Sequence, residues 1–192
     1  MNLYRSLPNL LTGLRLFAVP IVVFLLLDDK LTAAFWVIVA AGLSDGLDGY
    51  LAKRMNAVTK LGTYLDPVAD KILLIAVFVC LVALKLLPVW FVCLVIMRDI
   101  LIIGGVIFSK LINFELIVEP MFISKLNTLL QILLGMWALG QAVLGFNIFF
   151  VTLGLIYLTA VTTLVSGTIY LSRWTVGFDG ETARDRIEAI GK

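Results

Sequence analysis

The chain has 192 residues, of which 61% are apolar and 15% charged, and its mean hydropathy is +1.08. That composition excludes an ordinary soluble globule, which carries about 25% charged residues. A net charge of +2 is too small to point to nucleic acid, and the absence of histidine excludes an imidazole base or a histidine-ligated metal.

The length fits a single domain, 1–192. The pattern predicts an all-α integral membrane fold of six transmembrane helices, near 10–27, 31–53, 61–84, 88–109, 124–144 and 147–171. A span needs about 20 apolar residues, and several of these runs reach that length only by recruiting polar neighbours.

The first residues, MNLYRSLPNLLTGLR, mix apolar and polar groups. They read either as a short amphipathic segment lying along the membrane surface or as a simple anchor. Leu14–Leu27 is not read as a signal peptide, because Asp28-Asp29-Lys30 follows it rather than a small-residue cleavage site. Cys80 and Cys93 lie in apolar runs at no redox or metal spacing, and are expected to be free packing residues. Connections are short, apart from the polar segment Lys110–Glu119. The polar tail, 173–192, is expected to be a surface helix or disordered.

Lysine and arginine placement sets the orientation. One set of connections holds Arg5, Arg15, Lys53, Arg54, Lys60, Lys110, Lys125, Arg173, Arg184, Arg186 and Lys192; the opposite set holds only Lys30 and Lys85. Both termini and the Lys53–Lys60 loop are therefore expected to be cytoplasmic.

That loop joins the ends of two spans that carry Asp45, Asp48, Asp66 and Asp70. Asp45 and Asp48 are three apart and Asp66 and Asp70 four apart, so each pair shares a helix face. Four clustered carboxylates could not all stay ionised unshielded. Hard oxygen donors suit Mg²⁺, Mn²⁺ or Ca²⁺, and a pair of such ions suits phosphoryl chemistry. Gly49, Ala52 and Gly62 would leave room for a bulky group such as a nucleotide. Blander readings exist: Lys53, Arg54 and Lys71 are near enough to pair with some of these acids, and small residues often mark helix packing. An ion channel or metal-ion transporter would also collect acids.

The segment resembles the signature of the CDP-alcohol phosphotransferases, whose eight positions fall here on Asp45, Asp48, Gly49, Ala52, Lys53, Gly62, Asp66 and Asp70. Position 53 is lysine where the family has arginine, and Arg54 is adjacent. PNLLTGLR at Pro8–Arg15 looks like the first motif of bacterial phosphatidyltransferases. LDPVADK at Leu65–Lys71 and MRD at Met97–Asp99 look like the branch using glycerol-type acceptors. VEPMFISKLNTLLQ at Val118–Gln131 is similar to CMP-forming cardiolipin synthases, where ISK-x-NT-x-x-Q recurs; phosphatidylglycerophosphate synthases usually show a GK-x-KT type sequence there.

The resemblance implies transfer of a phosphatidyl group from CDP-diacylglycerol to phosphatidylglycerol or, alternatively, glycerol 3-phosphate, with release of CMP. It implies two divalent ions, Mg²⁺ or Mn²⁺, held by Asp45, Asp48, Asp66 and Asp70, with Asp70 as the catalytic base. Asp48, Gly49, Ala52, Lys53, Arg54, Gly62 and Thr12 would bind the CDP moiety. Arg98, Lys125 and Arg15 would bind the acceptor. For Arg98 the competing reading is a local ion pair; Asp99 is adjacent, but consecutive helical residues do not face each other. Ser124, Asn127, Thr128 and Gln131 stand at helical spacing beside Lys125, to orient a headgroup or to bond neighbouring helices. The resemblance further implies membrane lipids and a second copy of the chain as partners, in a bacterial inner membrane.

Overall fold

The computed structural model of the chain describes the backbone of residues 3–55, 60–111 and 122–190, and side chains within 13–44, 69–105 and 122–172. Among the described residues all regular structure is helical. The helices are α1 (Leu3–Leu27), α2 (Leu31–Met55), α3 (Lys60–Ala83), α4 (Val89–Leu111), α5 (Phe122–Leu144) and α6 (Phe149–Ile190). Their ends fall close to the predicted spans, because charged and turn-forming residues punctuate the apolar runs.

Two differences from the sequence reading concern the ends of the chain. The amino-terminal amphipathic segment is not a separate element: α1 runs unbroken from Leu3. Leu3, Leu7, Leu10, Leu11 and Leu14 continue the helical spacing of the apolar run into it. At the other end α6 continues through the polar tail to Ile190, 42 residues in all. At 1.5 Å per residue that is about 63 Å, twice the ~30 Å hydrocarbon thickness of a bilayer. Arg184 and Glu188 stand four apart there, an opposite-charge spacing that supports helix.

The turns after α1 and α3 are built alike. Lys30 N–H donates to the Leu25 carbonyl at 2.9 Å, and Leu86 N–H to the Leu81 carbonyl at 2.8 Å. The residue between is left-handed in each case, Asp29 at φ 55° and Lys85 at φ 59°. These are helix caps that satisfy the last carbonyls of each helix.

The chain divides into two compact units. The first comprises Met1–Pro88 and Gly135–Phe149, the second Val89–Leu134 and Phe150–Lys192. Within the first, α1 packs against both α2 and α3. Val22, Leu26, Phe78, Leu81 and Leu139 form its buried core. The second half of α5 joins them closely, since a Cβ on Gly135 would lie 3.3 Å from Phe78 Cε1. The second unit buries Phe91, Val95, Leu130 and Leu134, but also Arg98, Asp99, Asn127, Gln131, Thr159, Thr163 and Ser166.

Large apolar side chains, among them Phe17, Phe24, Trp36, Met97, Phe122 and Phe150, are exposed while these polar groups are buried. That inversion is what a lipid solvent demands, since polar groups inside a membrane turn to the protein interior. Among the described residues, Phe122–Leu144 and Phe149–Ser172 are long and apolar enough to cross a bilayer, and Gly13–Leu27 and Leu31–Ser44 are shorter apolar helices.

Candidate active site

The eight-position pattern lies on two helices. The last turns of α2 carry Asp45, Asp48, Gly49, Ala52, Lys53 and Arg54, and the first turns of α3 carry Gly62, Asp66 and Asp70. The backbone is helical throughout both stretches, so the three- and four-residue spacings do place each aspartate pair on one face. The side chains of Thr12, Asp45, Asp48, Gly49, Ala52, Lys53, Arg54, Gly62 and Asp66 lie outside the described residues. Asp70 lies within them.

Asp70 is met by Arg15 of α1, whose Nη1 donates to Asp70 Oδ1 at 2.5 Å. The two sides of this pair differ in burial: the Arg15 side chain is 4% exposed and that of Asp70 44%. A buried guanidinium thus anchors a carboxylate that still opens outward. Arg15, expected among the acceptor-binding residues, meets Asp70.

In the second unit Arg98 pairs within its own helix. Its Nη1 donates to Asp99 Oδ1 at 2.7 Å, in a pair whose side chains are 6% and 3% exposed. The helical separation of adjacent residues argued against this pairing. Two other groups bond the same guanidinium. Those groups are Ser124 Oγ on α5, at 2.6 Å from Nη2, and Ser166 Oγ on α6, at 2.7 Å from the same nitrogen. Lys125, the next residue after Ser124, is exposed.

The same polar seam continues along α5 and α6. Asn127 Oδ1 accepts from Thr162 Oγ1 at 2.9 Å and from Thr163 Oγ1 at 2.8 Å. One turn further on α5, Gln131 is fully buried and neither its Oε1 nor its Nε2 has a hydrogen-bond partner. Spacing picks out Ser124, Asn127 and Gln131; it does not pick out Ser166, which shares Arg98 with Ser124, or Thr162 and Thr163, which bond Asn127. A signal for them was available, since Thr159, Thr162, Thr163 and Ser166 recur at helical spacing inside an apolar span.

The donor set suits hard divalent ions: carboxylates alone, in helical register, with Asp70 still partly open despite its arginine. Among the described residues no group of three acidic, cysteine or histidine side chains is gathered.

Comparison with known proteins gives a consistent result. A family model described as CDP-alcohol phosphatidyltransferase matches residues 5–165. The chain is 34% identical to CDP-diacylglycerol–glycerol-3-phosphate 3-phosphatidyltransferase 1, chloroplastic, of Oryza sativa subsp. japonica, over 91% of this chain and 56% of that protein. It is 32% identical to the cardiolipin synthase (CMP-forming) of Homo sapiens, over 73% of this chain and 52% of that protein. It is also 32% identical to the CDP-diacylglycerol–glycerol-3-phosphate 3-phosphatidyltransferase of Rickettsia prowazekii (strain Madrid E), over 86% of this chain and 87% of that protein. The chain thus spans little more than half the length of the rice and human proteins.

Proposed function

This chain belongs to the CDP-alcohol phosphatidyltransferase family, and from that premise we propose that it transfers a phosphatidyl group from CDP-diacylglycerol to a glycerol-type acceptor, releasing CMP. The observation that carries this reading is the run of acids and small residues from Asp45 to Asp70, on α2 and α3 and inside the family-matched residues.

Asp45, Asp48, Asp66 and Asp70 would hold two divalent ions, Mg²⁺ or Mn²⁺, whose chemistry is to offset charge on the diphosphate. Asp48, Gly49, Ala52, Lys53, Arg54, Gly62 and Thr12 receive the CDP moiety. Asp70 takes the proton of the acceptor hydroxyl, a role a carboxylate fills within hydrogen-bond reach. The hydroxyl oxygen bonds to the β-phosphorus and the bond to CMP breaks. The acceptor's phosphate falls to Lys125, which is exposed, rather than to Arg98, which is committed to Asp99 and two serines.

Phosphatidylglycerol is the preferred acceptor, giving cardiolipin; the segment Ile123–Gln131 and the name of the human relative support it. The second reading is glycerol 3-phosphate, giving phosphatidylglycerophosphate, which the names of the rice and Rickettsia relatives favour. The chain crosses a bacterial inner membrane six times, with termini and site cytoplasmic, and works as a homodimer.

The test supplies purified protein with CDP-diacylglycerol, Mg²⁺ or Mn²⁺, and each acceptor in turn. CMP release with phosphatidylglycerol is expected. Release with glycerol 3-phosphate alone selects the second reading, and no release with either removes both. Metal flux across proteoliposomes in the absence of nucleotide would instead support a transporter.

A further inference from the structure

We propose that Arg15 is a positioning residue for Asp70, and that it acts on the acceptor step through that carboxylate while touching neither lipid substrate. The inference rests on the proposed phosphatidyl transfer, in which Asp70 takes the acceptor's proton.

The asymmetry of the pair carries it. The Arg15 side chain is 4% exposed, so an acceptor phosphate has almost no guanidinium surface to meet. Asp70 is 44% exposed, so its carboxylate stays reachable while bonded. A guanidinium buried in an apolar helix bundle persists only with a counter-charge. Asp70 supplies such a charge, at 2.5 Å from Nη1.

The contact also has the geometry to orient. Arg15 and Asp70 are 55 residues apart, on α1 and α3, and meet at 2.5 Å at the carboxylate oxygen Oδ1. A charge-assisted bond to Oδ1 restricts where that oxygen sits. A planar guanidinium on a buried stem does this with less freedom than a lysine ammonium. α1 packs on both acid-bearing helices, so Arg15 ties the base to the scaffold that also supports α2. In the reaction itself Arg15 gains and loses nothing. The proton passes from the acceptor hydroxyl to Asp70, the oxygen–phosphorus bond forms and the bond to CMP breaks.

The experiment uses the full chain in detergent–lipid micelles, with CDP-diacylglycerol, Mg²⁺ and the acceptor that supports turnover in the unaltered protein. Arg15→Met is expected to lower kcat by about 30- to 100-fold, the scale of a small misplacement of a reacting group. KM for the acceptor and for CDP-diacylglycerol should each stay within about twofold, since neither is touched. Arg15→Lys keeps the charge and should recover part of the loss, to about fivefold below the unaltered protein. Should Arg15→Met not fold, Arg15→Lys decides alone, by the same split between kcat and KM. A raised acceptor KM with kcat retained would make Arg15 a substrate ligand, and an unchanged kcat would make the pair purely structural; either overturns the proposal. No CMP release from the unaltered protein overturns the transfer reading, and this inference with it.

Discussion

Arg15 and Arg98 are both buried, and both meet an aspartate, but the two carboxylates have different surroundings. Asp70 is 44% exposed and is reached from another helix; Asp99 is 3% exposed and is the next residue on the same helix as its arginine. Arg98 spends its second nitrogen on Ser124 and Ser166, so its pair is closed on three helices of the second unit. A charge pair sealed in this way joins helices. A pair with one open face presents an acid. Basic or acidic residues at membrane depth are functional candidates by default, and exposure of the partner is what separates the two cases here.

The comparison breaks most visibly at the two aspartates. Asp70→Asn keeps the shape of the side chain but removes the base, and should lower CMP release by about 10²- to 10⁴-fold. The change also removes a counter-charge from the buried Arg15 and should lower the unfolding midpoint, so turnover is read per folded molecule. Retained turnover would remove Asp70 as the base. Asp99→Asn should spare turnover. It leaves Arg98 without its counter-charge and should cost about 3–5 kcal/mol of stability, read from the unfolding midpoint in detergent, while turnover per folded molecule is kept. Arg98→Met combined with Asp99→Leu should lose much less than either single change, because the Arg98–Asp99 charge pair is removed whole. Equal losses in turnover at Asp70 and Asp99 would erase the distinction.

Much of this was legible in the sequence, for identifiable reasons. The six predicted spans correspond to six helices among the described residues, with α2 and α5 starting and ending within a few residues of expectation. The acid register from Asp45 to Asp70 needed only helical geometry, and α2 and α3 supply it. The partners were not legible. Arg15 meets Asp70 only because α1 packs on α3, which no local pattern encodes. Arg98 meets Asp99 against its helical separation, and Ser124 and Ser166, 26 and 68 residues away, bond the same guanidinium. Spacing finds residues on one face; it does not find what faces them.

Gln131 gives a smaller and oppositely signed effect in the second unit. Its amide is fully buried with neither polar atom bonded. Leucine of similar size should relieve that desolvation and raise stability by about 1–3 kcal/mol. A gain in unfolding midpoint with turnover kept would mark Gln131 as a neutral part of the seam. The same gain with turnover lost would mean that the amide is held in strain for the acceptor, as stabilising changes at functional positions usually reveal.

The smallest effects come from two glycines, one in each unit. A Cβ on Gly135 would lie 3.3 Å from Cε1 of Phe78, a ring with 0% exposure in the apolar core of the first unit. Gly135→Ala therefore forces a packed ring to move and should cost about 1 kcal/mol. A Cβ on Gly167 would lie 3.7 Å from Cγ of Arg98, an ordinary contact with a flexible stem. Gly167→Ala should be neutral, or stabilising by about 0.5–1 kcal/mol through helix propensity. Paired unfolding curves measure both. A loss at Gly167 as large as that at Gly135 would mean that the arginine stem has no slack. The bonds from Arg98 to Asp99, Ser124 and Ser166 would then fix it as rigidly as ring packing fixes Phe78.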